Sequence, residues 1–429
     1  MDHLLFAAYL IFFAWLITRI KFFTKSGLTT SQLIILFLLK VMAGIVYGWI
    51  GVYYGQMAQM VDTWAYHYES IQEYHLLISD PAEFVASLFR SNYENGYTNF
   101  LQSHNSWWND LKANFLIKIM AIWNVFSFAH YYINLIFYSF ITLFGPIAIY
   151  RVMKDIFPRR KIPVLIATFL IPSFIYWTSG LHKEGLIFTG LGLICYHLYF
   201  GFKEKRFSLQ RVLLIILGFL LVLIFRNFLI LPLLTAVLAW VASEKLKHKL
   251  KPIKVYGVIY LAALLIFFCG KFIHPRLDFL DAVAVKQKEF MNLGGGSAIQ
   301  VDSLEPTISS FIVNAPQAFL LSTIRPFPSD VHHLLSLAAA AEINTVLLLF
   351  VIFLFWRRNG IPMNTFLLFC LFFSFSVLMM IGYSVNVLGA IVRYRSIVIP
   401  FLIVPLMARI NWDKVGTITL GNMNNKNNV

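Results

Sequence analysis

Long apolar runs separated by shorter polar connections dominate the sequence. They fall near residues 4–20, 31–53, 131–151, 163–178, 185–201, 211–225, 228–243, 255–272, 334–356, 362–382 and 395–410. A helix of about 20 apolar residues crosses a bilayer, because lipid offers no partner to open backbone groups and a helix satisfies its own. The pattern therefore predicts an all-α polytopic membrane protein with about eleven transmembrane helices.

Two long polar intervals break this pattern, at residues 54–114 and 272–333. We expect both to form external loops. The second interval includes a moderately apolar stretch from Ile308 to Ile324, which predicts a helix that lies in the outer membrane interface or re-enters. Long and chemically varied loops usually carry the functional site, so we expect the site on the external face.

Basic clusters recur at alternate connections between the apolar runs, for example Arg151 to Lys161, Lys203 to Arg211 and Lys245 to Lys254. The positive-inside rule assigns them to the cytoplasm, with the amino terminus outside and the carboxyl terminus inside. The formal charge of +15 is explained by these connections, in a chain that is 59% hydrophobic, so we expect no nucleic-acid partner. A bacterial inner membrane is the expected location.

The chain divides into three parts on these grounds. Residues 1–30 form an extra amino-terminal helix with a basic cytoplasmic loop, residues 31–412 form the main transmembrane domain, and residues 413–429 form a cytoplasmic tail. The three cysteines, Cys195, Cys269 and Cys370, lie in apolar runs and are interpreted as small core residues.

Asp62 is the main catalytic candidate, because it is a carboxylate placed just beyond an apolar run, at a membrane face. Such a group can act as the general base on an acceptor hydroxyl, or can hold a divalent metal that helps a leaving group. Fixed cations at the same face suit the phosphate of a lipid-linked donor. The candidates for that role are Lys183, Arg226, Arg325 and Arg395.

Further polar and aromatic residues of the external face are candidates for supporting the site or binding the acceptor. They are Tyr66, His67, Glu69, His182, Glu184, Asp330 and Arg393. The aromatic rings could stack on sugar faces, but the same residues are enriched at any membrane interface. Arg393 and Arg395 diverge by about 200 degrees on a helix, so we expect at most one to point into a shared cavity.

Three short motifs resemble those of the GT-C-type polytopic glycosyltransferases. They are Asp62-Thr63-Trp64-Ala65-Tyr66-His67, then Pro172 leading into Ser179-Gly180-Leu181-His182-Lys183-Glu184, and Arg325-Pro326-Phe327-Pro328. The resemblance implies a GT-C-like fold, Asp62 as the base or metal contact, and phosphate binding by Lys183, Arg325 and Arg226. The chain departs from the family pattern in that Thr63, rather than a second acid, follows Asp62.

Glycosyl transfer from a polyprenyl-phosphate-linked sugar to a glycan or lipid-linked acceptor is the first functional hypothesis. An O-antigen-type polymerase that joins lipid-linked oligosaccharides needs the same cations and a similar loop. A lipid transporter or flippase would require helices broken at the midplane in paired positions, and the sequence shows no internal repeat. A structural subunit of an envelope complex is the fourth hypothesis, and it would tolerate substitution of the candidate residues.

Overall fold

The computed structural model describes residues 2–53, 62–90, 107–293, 296–358 and 363–415, without the side chains of residues 2, 107–110, 112 and 113. The expected all-α class is confirmed, since the only β-structure in these ranges is two isolated bridges. The α-helices, in chain order, are α1 (Asp2–Ile17), α2 (Lys21–Thr24), α3 (Thr30–Tyr53), α4 (Asp62–Ser79), α5 (Pro81–Ala86), α6 (Trp107–Ser127), α7 (Tyr131–Ile156), α8 (Lys161–Phe169), α9 (Pro172–Ser179), α10 (Lys183–Lys203), α11 (Leu209–Phe225), α12 (Ile230–Leu246), α13 (Pro252–Ile273), α14 (Phe279–Asn292), α15 (Ile308–Thr323), α16 (Leu334–Trp356), α17 (Thr365–Ser384), α18 (Leu388–Ser396) and α19 (Ile399–Arg409).

Seven helical segments in the described ranges are long and apolar enough to cross a membrane, so the protein is an integral membrane protein. They are α3, α7, α10, α13, α16, α17 and the segment Asn227–Leu246 that contains α12. The count rises to nine if α8 with α9, and α18 with α19, each form one broken span. The expected count of about eleven is not confirmed, because α1 and α11 are shorter apolar helices of 10–17 residues.

Proline explains where two of the predicted spans are interrupted. The predicted span 163–178 ends as α8 at Phe169, and α9 begins at Pro172. The predicted span 395–410 lies in α18 and α19, which are bent by 63° and separated just before Pro400. A proline lacks the N–H that the preceding turn needs, but it fits the first turn of a new helix.

The chain forms two compact units. The first consists of residues 1–152 and 172–233, and the second of residues 153–171 and 234–429. The first unit contains the amino-terminal helices, most of α7, and α9 to α11. The second contains α8, α13 to α19 and most of α12.

The first polar interval is largely helical where it is described, rather than the open loop that its polarity predicts. In α4, the residues Thr63, His67 and Ser70 are buried, a spacing that places them along one helix face. Asn124 of α6 donates from Nδ2 to Ser70 O at 3.1 Å and accepts from Asn134 Nδ2 of α7 at 2.6 Å. Hydrogen bonds between polar side chains therefore contribute to the packing of this interval.

The predicted helix from Ile308 to Ile324 is confirmed as α15, within the second unit. It packs closely on α17, because Gly382 has no side chain there: a Cβ at Gly382 would meet Ala318 O at 1.9 Å. Tyr383 donates its hydroxyl to Phe311 O at 2.7 Å, and Phe311 joins a buried cluster with Leu280 of α14. These contacts hold α14, α15 and α17 together as the framework of this unit.

Candidate functional site

The turn between α9 and α10 is the centre of the polar cluster in the first unit. Tyr138 of α7 donates its hydroxyl to His182 O and accepts from Gly185 N at 3.1 Å. Lys40 of α3 donates from Nζ to Thr178 O at 2.6 Å, at the end of α9. Two neighbouring helices therefore fix the turn through its backbone, which leaves its side chains in one defined arrangement.

Four side chains form a continuous polar chain from this turn. Asp62, the first residue of α4, places Oδ2 at 2.9 Å from Nε2 of His182. The other ring nitrogen of His182, Nδ1, contacts Glu184 Oε2, and Glu184 Oε1 accepts from Arg226 Nη2. With a proton on each ring nitrogen, His182 donates to both carboxylates. We call these four residues the relay.

Exposure falls steeply along the relay. The Asp62 side chain is 45% exposed, whereas His182 and Glu184 are 2% and 0% exposed and Arg226 is 10% exposed. Burying a lone carboxylate is very unfavourable, so Glu184 requires its two partners. Its place in the first turn of α10 also stabilises its negative charge, because the helix dipole is positive there. The half-exposed Asp62 is the end of the relay that a ligand can reach.

Lys183, Tyr66 and Glu69 lie next to the relay. The Nζ atom of Lys183 is 4.8 Å from the centre of the Tyr66 ring, and the side chain of Lys183 is largely buried. Tyr66 and Glu69 follow Asp62 by one and two helical turns on α4. Burial raises the pKa of Glu69, and the positive charge of Lys183 opposes that rise. The structure thus brings together seven of the predicted residues of this unit.

His67 is also in the first unit, but it packs into the interior between α4 and α7. It is 4% exposed, its ring centre lies 5.4 Å from that of Tyr131, and Trp64 stacks on the same tyrosine at 4.0 Å. Burial, with a smaller contribution from the charge of His130, lowers the pKa of His67 to about 4. His67 therefore carries a buried neutral ring at neutral pH.

The remaining predicted residues lie in the second unit. Arg395 is buried and donates from Nη1 to Ser322 O at 3.2 Å and to Arg325 O at 2.8 Å. Arg325 pairs with Asp330 at 3.6 Å, and Asp330 also accepts from Phe327 N at 2.7 Å. These contacts hold the Arg-Pro-Phe-Pro corner in one shape.

Arg393 differs from Arg395 in its surroundings. Its guanidinium lies 5.1 Å from the centre of the Tyr394 ring, and its side chain is half-buried, whereas Arg395 is fully buried. The two arginines therefore have different surroundings, and the expectation that at most one points into a shared cavity stays a prediction.

The donor set for a metal at Asp62 does not fit well. The Oδ2 atom of Asp62 faces a ring nitrogen of His182, and the second ring nitrogen faces Glu184. Across the described ranges, no group of three or more His, Cys, Asp and Glu side chains is arranged to hold a metal ion. The divalent metal at Asp62 stays a prediction.

Sequence reasoning did not find the role of Tyr138. A tyrosine within an apolar helix resembles a core residue, and no local motif marks its hydroxyl as the partner of a turn 44 residues away. Lys40 was recognisable as a charge inside an apolar run, which requires a buried partner. Its partner, a backbone carbonyl of α9, could not be read from the sequence.

Comparison with protein-family models, with curated proteins and with solved structures found no match to this chain. The likeness to GT-C-type glycosyltransferases therefore rests on the three short motifs.

Proposed function

We propose that the protein is a membrane glycosyltransferase that moves a sugar from a polyprenyl-phosphate-linked donor to a glycan or lipid-linked acceptor on the external face. The observation that carries the proposal is the relay, in which a half-exposed carboxylate is backed by a buried histidine, a buried carboxylate and an arginine. A lysine and a tyrosine beside it provide a cation and a ring. Acid–base chemistry on a hydroxyl and stabilisation of a phosphate require these groups.

Asp62 is the general base in this proposal. Its Oδ2 atom is oriented by His182, and its 45% exposure leaves the carboxylate accessible to an acceptor hydroxyl. His182 is in turn held by Glu184 and by the Tyr138 contact to its carbonyl. A base whose partners are fixed needs no reorganisation during the reaction, which lowers the barrier.

The transfer step forms one bond and breaks another. The acceptor oxygen bonds to the anomeric carbon of the donor sugar, while the bond from that carbon to the phosphate oxygen breaks. The acceptor proton goes to Asp62, and the electron pair of the broken bond leaves with the polyprenyl phosphate. The leaving phosphate gains negative charge, which a nearby cation stabilises.

Lys183 is the best supported cation for the leaving phosphate, because it lies beside the relay and over Tyr66. Arg226 contacts Glu184, so part of its charge stabilises that buried carboxylate. Arg325 and Arg395, which the sequence predicts for phosphate binding, belong to the second unit. A lipid phosphate at headgroup depth and a glycan acceptor are the proposed partners.

Replacement of Asp62 by Asn tests the proposal in the producing cell. We expect loss of one sugar increment from surface glycans and accumulation of its polyprenyl-phosphate donor, both measured by mass spectrometry. Glu204→Gln is the matched control, since Glu204 is a similarly exposed carboxylate (51%) of the same unit that pairs with Arg211. Loss of base catalysis typically lowers rates 10²–10⁴-fold. An unchanged glycan profile, with the variant inserted at normal levels, would overturn the proposal.

The same variant distinguishes a polymerase from a transferase. Accumulation of single lipid-linked repeat units, in place of a missing sugar increment, would indicate that two oligosaccharides are joined by this site.

A lipid transporter coupled to protons is the second candidate function. Chains of Asp, Glu and His inside membranes are typical of proton relays, and α18 and α19 form a bent helix pair such as transporters use at binding sites. In that case Asp62→Asn would abolish proton-driven lipid movement in vesicles. The wild-type protein would then not transfer sugar between purified donor and acceptor.

A further inference from the structure

A polar groove in the second unit is separate from the relay. It has a volume of about 510 Å³, within the range of about 300–1,000 Å³ that is typical of small-molecule sites. Its walls come from the segment before α15, from one residue of α14, one of α15, and the connection between α17 and α18. The lining residues are Met291, Ala298, Ile299, Gln300, Val301, Asp302, Gln317 and Asn386.

Backbone hydrogen bonds hold the walls of the groove in place. Ile299 N donates to Asn386 O at 3.0 Å, and Leu388 N donates to Ser297 O at 3.0 Å. On the other side, Asp302 N donates to Oε1 of Gln317 in α15 at 3.3 Å. The extended segment is thus fixed at both ends of the groove, and the groove is a preformed feature of this unit.

The chemistry of the lining is that of carboxamides with one carboxylate. Gln300, Gln317 and Asn386 offer groups that both donate and accept, Asp302 accepts only, and none of the eight lining residues carries a positive charge. An anion would meet Asp302 without a cation to balance it. A purely apolar ligand would leave the amides without partners.

Asn386 carries an unpaired polar atom in the wall of the groove. It is 5% exposed, and its Nδ2 donates to Ile299 O at 3.2 Å. Its Oδ1 atom is buried and has no hydrogen-bond partner within the described part of the chain. A buried carbonyl oxygen without a donor is unfavourable, so this wall of the groove is polar and incompletely paired.

We propose that this groove binds neutral sugar residues of a glycan chain, as an acceptor subsite; this assignment rests on the proposed glycosyl transfer. Sugar hydroxyls donate and accept at once, so they match carboxamides and a carboxylate better than anions or acyl chains do.

Photocrosslinking in the producing cell tests this assignment. The photoreactive residue p-benzoylphenylalanine is placed at position 300, and the purified adduct is oxidised with periodate and labelled with biotin hydrazide to detect sugars. The control places the same residue at position 313, because Val313 is 76% exposed on α15 and does not line the groove. We expect a sugar-positive adduct at position 300 and none at position 313.

Removal of the carboxylate provides the matched comparison. Asp302→Ala should lower the yield of sugar-positive adduct about tenfold, since a hydrogen bond to a charged group is lost. Asp281→Ala, which removes an exposed acid of α14 outside the groove, should not change the yield. An adduct with lipid or protein only, no adduct, or equal yields from the two variants would each overturn the assignment.

The two proposals fail separately. If Asp62→Asn leaves the glycan profile unchanged while the sugar-positive adduct at position 300 persists, glycosyl transfer is wrong and glycan binding stands. If Asp62→Asn abolishes transfer and no sugar-positive adduct forms, the transfer stands and the acceptor groove is wrong.

Discussion

Glu184 has the most demanding electrostatic environment in the relay, because it is fully buried between His182 and Arg226. Arg226→Met removes one of its two partners and should destabilise the protein by about 3–5 kcal/mol, as is typical when one partner of a buried ion pair is lost. Thermal unfolding in detergent measures the change.

Removing both charges together distinguishes an ion pair from general loss of packing. The double variant Glu184→Gln with Arg226→Met should be more stable than Arg226→Met alone, because no uncompensated charge stays buried. The single variant Glu184→Gln is measured as well. If its loss of stability and that of Arg226→Met add up to the loss in the double variant, the two side chains do not interact in the way that their contact indicates.

His67 predicts a pH dependence of stability. Its pKa is about 4 in the folded protein, whereas the ordinary pKa of 6.5 applies to the unfolded chain. Between pH 4 and 6.5 the unfolded state therefore binds a proton that the folded state does not. The free energy of unfolding should therefore fall as the pH drops from about 6.5 to 4, by up to about 3 kcal/mol. Above pH 6.5 both states are neutral at this residue and the contribution is constant.

Comparison of wild type with His67→Phe isolates this contribution. The substitution keeps an aromatic ring against Tyr131 and removes the titrating group. Unfolding measured at pH 7 and pH 5 should show a smaller acid loss in the variant, while equal losses in the two proteins would assign the acid sensitivity to other groups.

At the scale of helices, the start of α10 depends on its close approach to α7 and α9. A Cβ on Gly185 would lie 2.4 Å from the Tyr138 hydroxyl oxygen and 2.6 Å from Thr178 O. Gly185→Ala should therefore displace the turn, lower stability by about 1–3 kcal/mol and reduce activity, since overpacked sites are strained. Gly257→Ala in α13 is the matched control, because nothing lies within 4 Å of that Cβ.

The readout for this pair is the melting temperature in detergent, together with glycan profiles of cells that carry each variant. The control should be neutral or slightly stabilising, as alanine favours helix over glycine. If the Gly185→Ala protein has the stability and glycan profile of wild type, the turn accommodates a Cβ between Tyr138 and Thr178, and the prediction is wrong.

The positions of the apolar helices were easier to predict from the sequence than the points at which helices are interrupted. The bounds of α3, α13 and α16 were predicted within a few residues. An uninterrupted apolar stretch satisfies its backbone hydrogen bonds in lipid by forming a helix. The sequence did not specify α4 within the first polar interval, because the residues that α4 buries are polar. Ser70 meets Asn124 from a distant part of the chain, and no local period reports such a pair.

At the scale of the whole chain, the residues of the relay could be selected as candidates from the sequence, but their pairing could not be predicted. Asp62, His182, Glu184 and Arg226 stood out as charges beside apolar runs. Their order in the relay depends on how α4, α10 and α11 pack, and contacts between residues 120 positions apart are set only by the tertiary fold. Arg325 and Arg395 were predicted for the same chemistry, but local motifs cannot report which unit a residue joins.

The orientation of the chain in the membrane decides whether the proposed chemistry is possible, because an external acceptor requires the relay at the external face. The basic clusters predict that the connection around Lys249 is cytoplasmic and that the start of α14 is external. In a protein whose three cysteines are replaced by alanine, Asp281→Cys should therefore react with a membrane-impermeant maleimide in intact cells. Lys249→Cys should react only after the membrane is permeabilised.

Both introduced cysteines replace exposed side chains outside the relay and the groove, so each variant should keep the function of its parent. The reverse labelling pattern would place these connections on the opposite faces. The external acceptor would then be excluded, and the proton relay of a transporter would become the better explanation for Asp62, His182 and Glu184. Equal labelling of both positions in intact cells would contradict the assigned spans between them, since one crossing separates residue 249 from residue 281 through α13.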